Sequence, residues 1–122
     1  MTTFSQEILY AQLAASSQDE LDAISFGVIE LDEKLTCTRY NKAESNFSGL
    51  RAANVVGRHF FEEVAPCMNN YMVRDRLLGT ETLDDIIDYV LSVRMSPTPV
   101  RLRLLVEAGQ NKRFLVVEFP TE

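Results

Sequence analysis

In "VRLRLLV", residues 100–106, Arg101 and Arg103 alternate with Val100, Leu102 and Leu104, the period of two that a strand with one buried face requires. The same signature, rich in aliphatic and aromatic residues, recurs in "DIIDYVLSVRM" (85–95) before it and in "RFLVVEF" (113–119) after it. "SPTP" (96–99) reads as the turn between the first two of these strands, and "GQNK" (109–112) as the break before the third. Upstream, "FGVIEL" (26–31) and "LTCTRYN" (35–41) read as two more strands, joined as a hairpin across "DEK" (32–34). Helical spacing governs other stretches. Ile8, Leu9 and Leu13 fit one helical face within residues 5–16, and Ser17 with Glu20 makes a capping box in "SQDE". Between Lys42 and Gly79 the strand signal fades into short helical pieces punctuated by Gly49, Gly57 and Pro66. After Cys67, Met68, Tyr71, Met72 and Leu78 predict a longer helix ended by Gly79.

The element order, two strands, then helices, then three strands, predicts an α+β domain: an antiparallel five-stranded sheet with short helices gathered on one face. Residues 1–20 form an N-terminal helical cap and residues 21–122 the main domain, within a single compact unit that suits a chain of 122 residues. A pocket between helices and sheet is the natural place for a ligand.

Composition narrows the function. With 46% hydrophobic and 25% charged residues the chain has the balance of an ordinary globular domain. A net charge of −6, with its 12 basic residues scattered, argues against a nucleic-acid surface. The N-terminal stretch has no basic run, carries Glu7 and lacks a long apolar segment, so no membrane span or leader is expected and a cytoplasmic location is. Two cysteines, Cys37 and Cys67, and one histidine, His59, provide neither a disulfide framework nor a metal-ligand pattern. With no phosphate loop or catalytic acid motif, nothing marks an enzyme. Cys67 stands out because Pro66 delivers it at the end of "FFEEVAPC", just ahead of the predicted helix, whose dipole would favour a thiolate.

Four segments, "LDAISFGVIELD" (21–32), "YNKAE" (40–44), "NVVGRHFFEEVAPC" (54–67) and "MSPTPV" (95–100), together resemble the photoactive yellow protein family in order and spacing. That family has the PAS fold, whose element order matches the one predicted here. The resemblance implies a blue-light photoreceptor for sensory transduction, with p-coumaric acid (4-hydroxycinnamic acid) held on Cys67 as a covalent thioester. It further implies that Tyr40 and Glu44 donate hydrogen bonds to a buried phenolate, that Ser48 supports Tyr40, and that Met95 touches the chromophore region. If a helix begins after Asn41, one turn brings Tyr40 and Glu44 together. An apolar setting would keep Glu44 protonated. Phe60 and Phe61 are expected to wall the pocket. Leu50 stands where the family has an arginine covering it, and Leu91 and Val93 where aromatic residues are expected, so a cationic gate is missing and the wall is smaller and less polarisable.

In the mechanism the resemblance implies, light-driven trans–cis isomerisation draws the proton from Glu44. The resulting buried carboxylate loosens the helical cap for a downstream signalling partner that the sequence does not identify, the protein itself being a monomer or homodimer. The alternative reading is a PAS module without a chromophore, binding a small ligand or a protein through the same pocket. A thiol redox sensor at Cys67 has no evident resolving cysteine.

Overall fold

The computed structural model describes residues 2–93 and 95–120; Met1, Arg94, Thr121 and Glu122, which the predicted segments include, lie outside the described residues. Five antiparallel strands, β1 (Gly27–Leu31), β2 (Cys37–Tyr40), β3 (Leu83–Val93), β4 (Ser96–Val106) and β5 (Arg113–Glu118), form one sheet in the order β2-β1-β5-β4-β3. β1 is buried at every position because both faces of the central sheet are covered. Alternation sorts the side chains between those faces. Ile29, Leu31, Leu102, Leu104, Leu115 and Val117 join Phe60, Phe61, Val73 and Leu77 in one core. Val28, Leu105, Phe114 and Val116 join Phe4, Leu9, Leu13, Leu21, Ile24 and Phe26 in the other.

The second core is the underside of the N-terminal segment, which carries α1 (Leu9–Ala15) and α2 (Gln18–Asp22). The Ser17–Glu20 capping box is present and starts α2. Arginines from the sheet fasten this segment. Arg39 donates to the carbonyls of Leu13 and Ser16, the open end of α1, while paired with buried Glu30. Arg103 donates to the carbonyls of Phe4 and Gln6 and is held by both oxygens of Asp84. These bonds tie carbonyls at the C-terminal end of α1 and ahead of its start to the sheet.

In the β1–β2 hairpin Asp32 Oδ1 accepts from the backbone N–H groups of Lys34 and Thr36, both at 2.9 Å, as the loop residues predict. Two segments depart from expectation. "SPTP" is not a turn: residues 96–99 open β4, which pairs with β3 from Val93↔Ser96 onward, so the chain has already reversed by Ser96. Pro97 and Pro99 are tolerated because β4 here outruns β5, whose pairing begins only at Arg101, so one side of the strand has no ladder to feed. The long helix after Cys67 is also absent. Asn70 Oδ1 accepts from the N–H groups of Met72 and Val73, a side-chain turn that replaces helical bonds and delays α4 to Arg74–Leu78. Tyr71 and Met72 therefore point to solvent, whereas Met68 is buried.

Candidate functional site: a cavity between α3 and the Cys67 turn

β2 ends at Tyr40, and Asn41 caps the next helix, α3 (Lys42–Ser48), its Oδ1 accepting from the Glu44 N–H at 3.1 Å. Gly49, with φ 82°, closes the helix in the left-handed conformation that glycine adopts without strain. Start and stop together set Tyr40, Glu44 and Ser48 beside one cavity of about 270 Å³. For scale, a dry cavity of roughly 150 Å³ takes up benzene, so this space suffices for a ring with a short chain.

The segment before Cys67 supplies another wall. Phe60–Val64 forms one wide turn of π-helix, closed by the Ala65 N–H on the Phe60 carbonyl at 2.8 Å. His59 and the acids behind it exchange bonds at its start: Glu63 accepts from the His59 N–H, and His59 Nδ1 from the Glu62 N–H. Pro66 then opens a single 3₁₀ turn, Pro66–Met68, that holds Cys67. Among the described residues no helix of two or more turns follows the thiol, so the dipole argument made from sequence does not apply. The Cys67 carbonyl is fixed instead by Tyr89 of β3, whose hydroxyl donates to it at 2.8 Å and accepts from Asn70 Nδ2 at 2.7 Å. Cys67 is exposed and lines the cavity. Cys37 is buried within β2; burial first, and Glu30 next, push its thiol up to about 12, so it stays protonated.

The polar side of the cavity is unusual in its charge. Tyr40 and Ser48 share a hydrogen bond at 2.8 Å, and Ser48 Oγ also accepts from the Leu50 N–H. Burial, with Glu44 nearby, raises the Tyr40 hydroxyl above its ordinary value. Glu44 is only 5% exposed, and its Oε1 has no hydrogen-bond partner among the described residues. Burial pushes its carboxyl up to about 8, while the Tyr40 hydroxyl pulls it partly back. Among the described residues no lysine, arginine or histidine lines the cavity, and Leu50 occupies its edge, 41% exposed. At neutral pH the site therefore holds a neutral, proton-bearing carboxyl, a phenol and the Ser48 hydroxyl facing a largely apolar space that also carries Ser92 and the Cys67 thiol.

Of the residues singled out from sequence, Tyr40, Glu44, Ser48, Leu50, Phe60, Cys67, Leu91 and Val93 all line this cavity. Phe61 does not: it is wholly buried in the core, its ring edge-on to Phe60. Met95 does not either, because at the β3–β4 reversal, with φ 65°, it is 100% exposed. Sequence reasoning missed Phe47, Val64, Ala65, Met68 and Ser92 in the lining, and Tyr89 and Asn70 behind Cys67. It also missed Gly27. A Cβ there would land on Glu44 Oε1, well inside contact distance, and 3.2 Å from Phe119 Cζ. A glycine interrupting a strand pattern is the available signal for such a close approach.

No family model matches the chain. It is 30% identical over 107 residues to the photoactive yellow protein of Rhodothalassium salexigens, covering 85% of this chain and 86% of that one. Among solved structures it is similar to the photoactive yellow protein domain of the sensor histidine kinase Ppr from Rhodospirillum centenum. That match has 32% identity and a TM-score of 0.80, and covers 88% of this chain and 97% of that one. The PAS domain of Bordetella pertussis BvgS, at 16% identity and a TM-score of 0.70 over 93% of this chain and 88% of that one, shares the fold alone.

Proposed function

The chain belongs to the photoactive yellow protein family, and from that premise we propose that it is a blue-light photoreceptor carrying 4-hydroxycinnamate on Cys67. One observation carries the reading: a buried carboxyl with an unpartnered oxygen, Glu44, shares an apolar cavity with an exposed thiol, Cys67.

The residues present fit the group. The open Oε1 of Glu44 and the Tyr40 hydroxyl are the polar atoms that would meet a phenolate, and Phe60, Leu91 and Val93 would exclude water from its ring. Bound there, the group would supply a double bond that isomerises in light and a phenolate oxygen able to take up a proton. Cys67 Sγ would acquire it by attack on an activated acyl carbonyl, losing the thiol proton as the leaving group departs. Tyr89, gripping the Cys67 carbonyl, fixes the backbone at the point of attachment.

Glu44 supplies the proton. Its neutral form is the one that burial favours, and loss of the proton leaves a carboxylate with no cation among the described residues of the cavity. That cost falls on α3 and what holds it. Asn41, wholly buried, accepts from the N–H groups of Glu44 and Val28 while its amide donates to the carbonyls of Leu21 and Phe26. Lys42 N–H also bonds Asp22 of α2. Strain at Glu44 is thus passed to the segment that carries the N-terminal helices, and residues 1–20 loosen for a downstream partner. This is signalling by a changed surface and needs no catalytic step.

The missing cation at Leu50 favours one second reading, a PAS module that takes a neutral small ligand in the same cavity. Glu44→Gln separates the two. After reconstitution with an activated 4-hydroxycinnamoyl donor, the variant should absorb at longer wavelength and lose the light-induced change in the protonated-carboxyl infrared band. Spectra identical to the wild type would place Glu44 outside the mechanism.

A further inference from the structure

Glu44 is closed off by a part of the chain far from it in sequence. Its Oε1 fills the space that a side chain at Gly27 would take, and Phe119 Cζ lies 3.2 Å from the same point. Phe119 follows directly on β5, and its ring stacks on Phe47 of α3 with centroids 4.4 Å apart and planes 22° from parallel. Phe47 faces two spaces. It lines the cavity with Glu44, and with Phe119 and Pro120 it lines a cleft on the outer surface. The stacked rings therefore stand between the carboxyl and solvent.

We propose that the Phe47–Phe119 stack is an apolar seal that holds Glu44 in its neutral form, and that ionisation of Glu44 loosens Phe119 and Pro120 at the end of β5. Phe119 is then a positioning residue, acting through Glu44. The proposal rests on the reading above only in that light would be one way to ionise Glu44; the seal itself stands on the packing.

The surroundings leave water exclusion as the main control. From β2 the Tyr40 hydroxyl acts on the carboxyl; from β1 the Gly27 backbone approaches it closely. On α3, Lys42 is exposed, and at the end of β5 Glu118 is engaged by Arg101 of β4 at 2.6 Å. With so few charges in play among the described residues, removing the ring that excludes water should favour the charged form. The reverse follows by linkage: a cover that stabilises the neutral carboxyl is weakened by the same factor when the carboxyl ionises. Ionisation would thus be felt at two places, the N-terminal helices through Asn41 and the C-terminal end of β5 through Phe119.

The test uses the full chain without chromophore, so it does not depend on attachment at Cys67. The protonated-carboxyl infrared band, assigned by its loss in Glu44→Gln, is followed against pH. In Phe119→Ala its midpoint should fall by about one pH unit or more, a tenfold or greater change in ionisation. Phe119→Leu, which keeps apolar cover, should stay close to the wild type, and Phe4→Ala, which removes a ring from the opposite core, should leave the midpoint in place. An unmoved midpoint in Phe119→Ala, or an equal fall in Phe4→Ala, overturns the seal. The chain contains no tryptophan, so Phe119→Trp installs a single emission reporter. Its emission should shift to the red with the same midpoint as the carboxyl band, and Glu44→Gln should abolish the shift. Emission that stays constant through the ionisation, or a shift that survives in Glu44→Gln, overturns the coupling to the chain end.

Discussion

Replacing Glu44 by Gln should change how the stability of the domain depends on pH, and the structure sets the size of the effect. In the folded chain burial pushes the Glu44 carboxyl from an ordinary 4.5 to about 8. Between those values the native state keeps the proton while the unfolded chain releases it, so the native state binds more protons and stability falls as pH rises. The loss is about 1.4 kcal/mol per pH unit, which accumulates to roughly 5 kcal/mol across the window. Below the lower value the contribution is fully present; above about 8 it is gone and the curve flattens for this group. A small domain has only about 5–15 kcal/mol in all, so one ionised side chain removes a large share. Glutamine keeps the shape and never ionises. Urea denaturation from pH 4 to 9, run on chromophore-free wild type and Glu44→Gln, isolates the difference because every other titration is common to both. The wild type should lose stability relative to the variant as pH rises, with the gap levelling off above about 8. Parallel curves would refute both the buried neutral carboxyl and the use of its ionisation to loosen the fold.

Gly27→Ala should cost about 1–3 kcal/mol by overpacking against Glu44; in a Glu44→Ala background most of that cost should disappear, as a double-mutant cycle in denaturant would show. Iodoacetamide should label Cys67 in the folded chain and reach buried Cys37 only after unfolding, which peptide mass mapping reads directly; early labelling of Cys37 would contradict its burial. Tyr89→Phe removes the donor to the Cys67 carbonyl and should lower stability by about 1 kcal/mol. It should also slow acylation of Cys67 without changing which cysteine is modified; an unchanged acylation rate would deny Tyr89 its positioning role.

The strands were legible because alternation is a local signal, and Arg101 and Arg103 between leucines and valines leave little choice of face. The polar side of the cavity was named by resemblance rather than by a local signal. What the local sequence adds is Asn41, which caps α3 directly after Tyr40 and so sets Glu44 and Ser48 one turn apart on the helix. The errors came where one residue type has two uses. Prolines in "SPTP" punctuate turns but also sit on a strand side without a ladder. The asparagine at 70 turned its side chain on the backbone and undid a helix that the apolar spacing suggested. Met95, placed beside the chromophore by resemblance, lies instead at the tip of a hairpin. The partnerships of Tyr89 with Cys67 and of Phe119 with Phe47 join segments remote in sequence, and no spacing rule announces them.

The central claim is that Cys67 carries a 4-hydroxycinnamoyl group whose light response is wired to Glu44. Incubating wild type, Cys37→Ser and Cys67→Ala with an activated 4-hydroxycinnamoyl donor, followed by intact mass and visible spectra in the dark and under blue light, tests it most directly. Wild type and Cys37→Ser should each gain the mass of one acyl group and a visible band that bleaches in light and recovers in the dark, while Cys67→Ala stays unmodified and colourless. An adduct on Cys37, colour that survives in Cys67→Ala, or a wild type that takes up no acyl group would contradict the account.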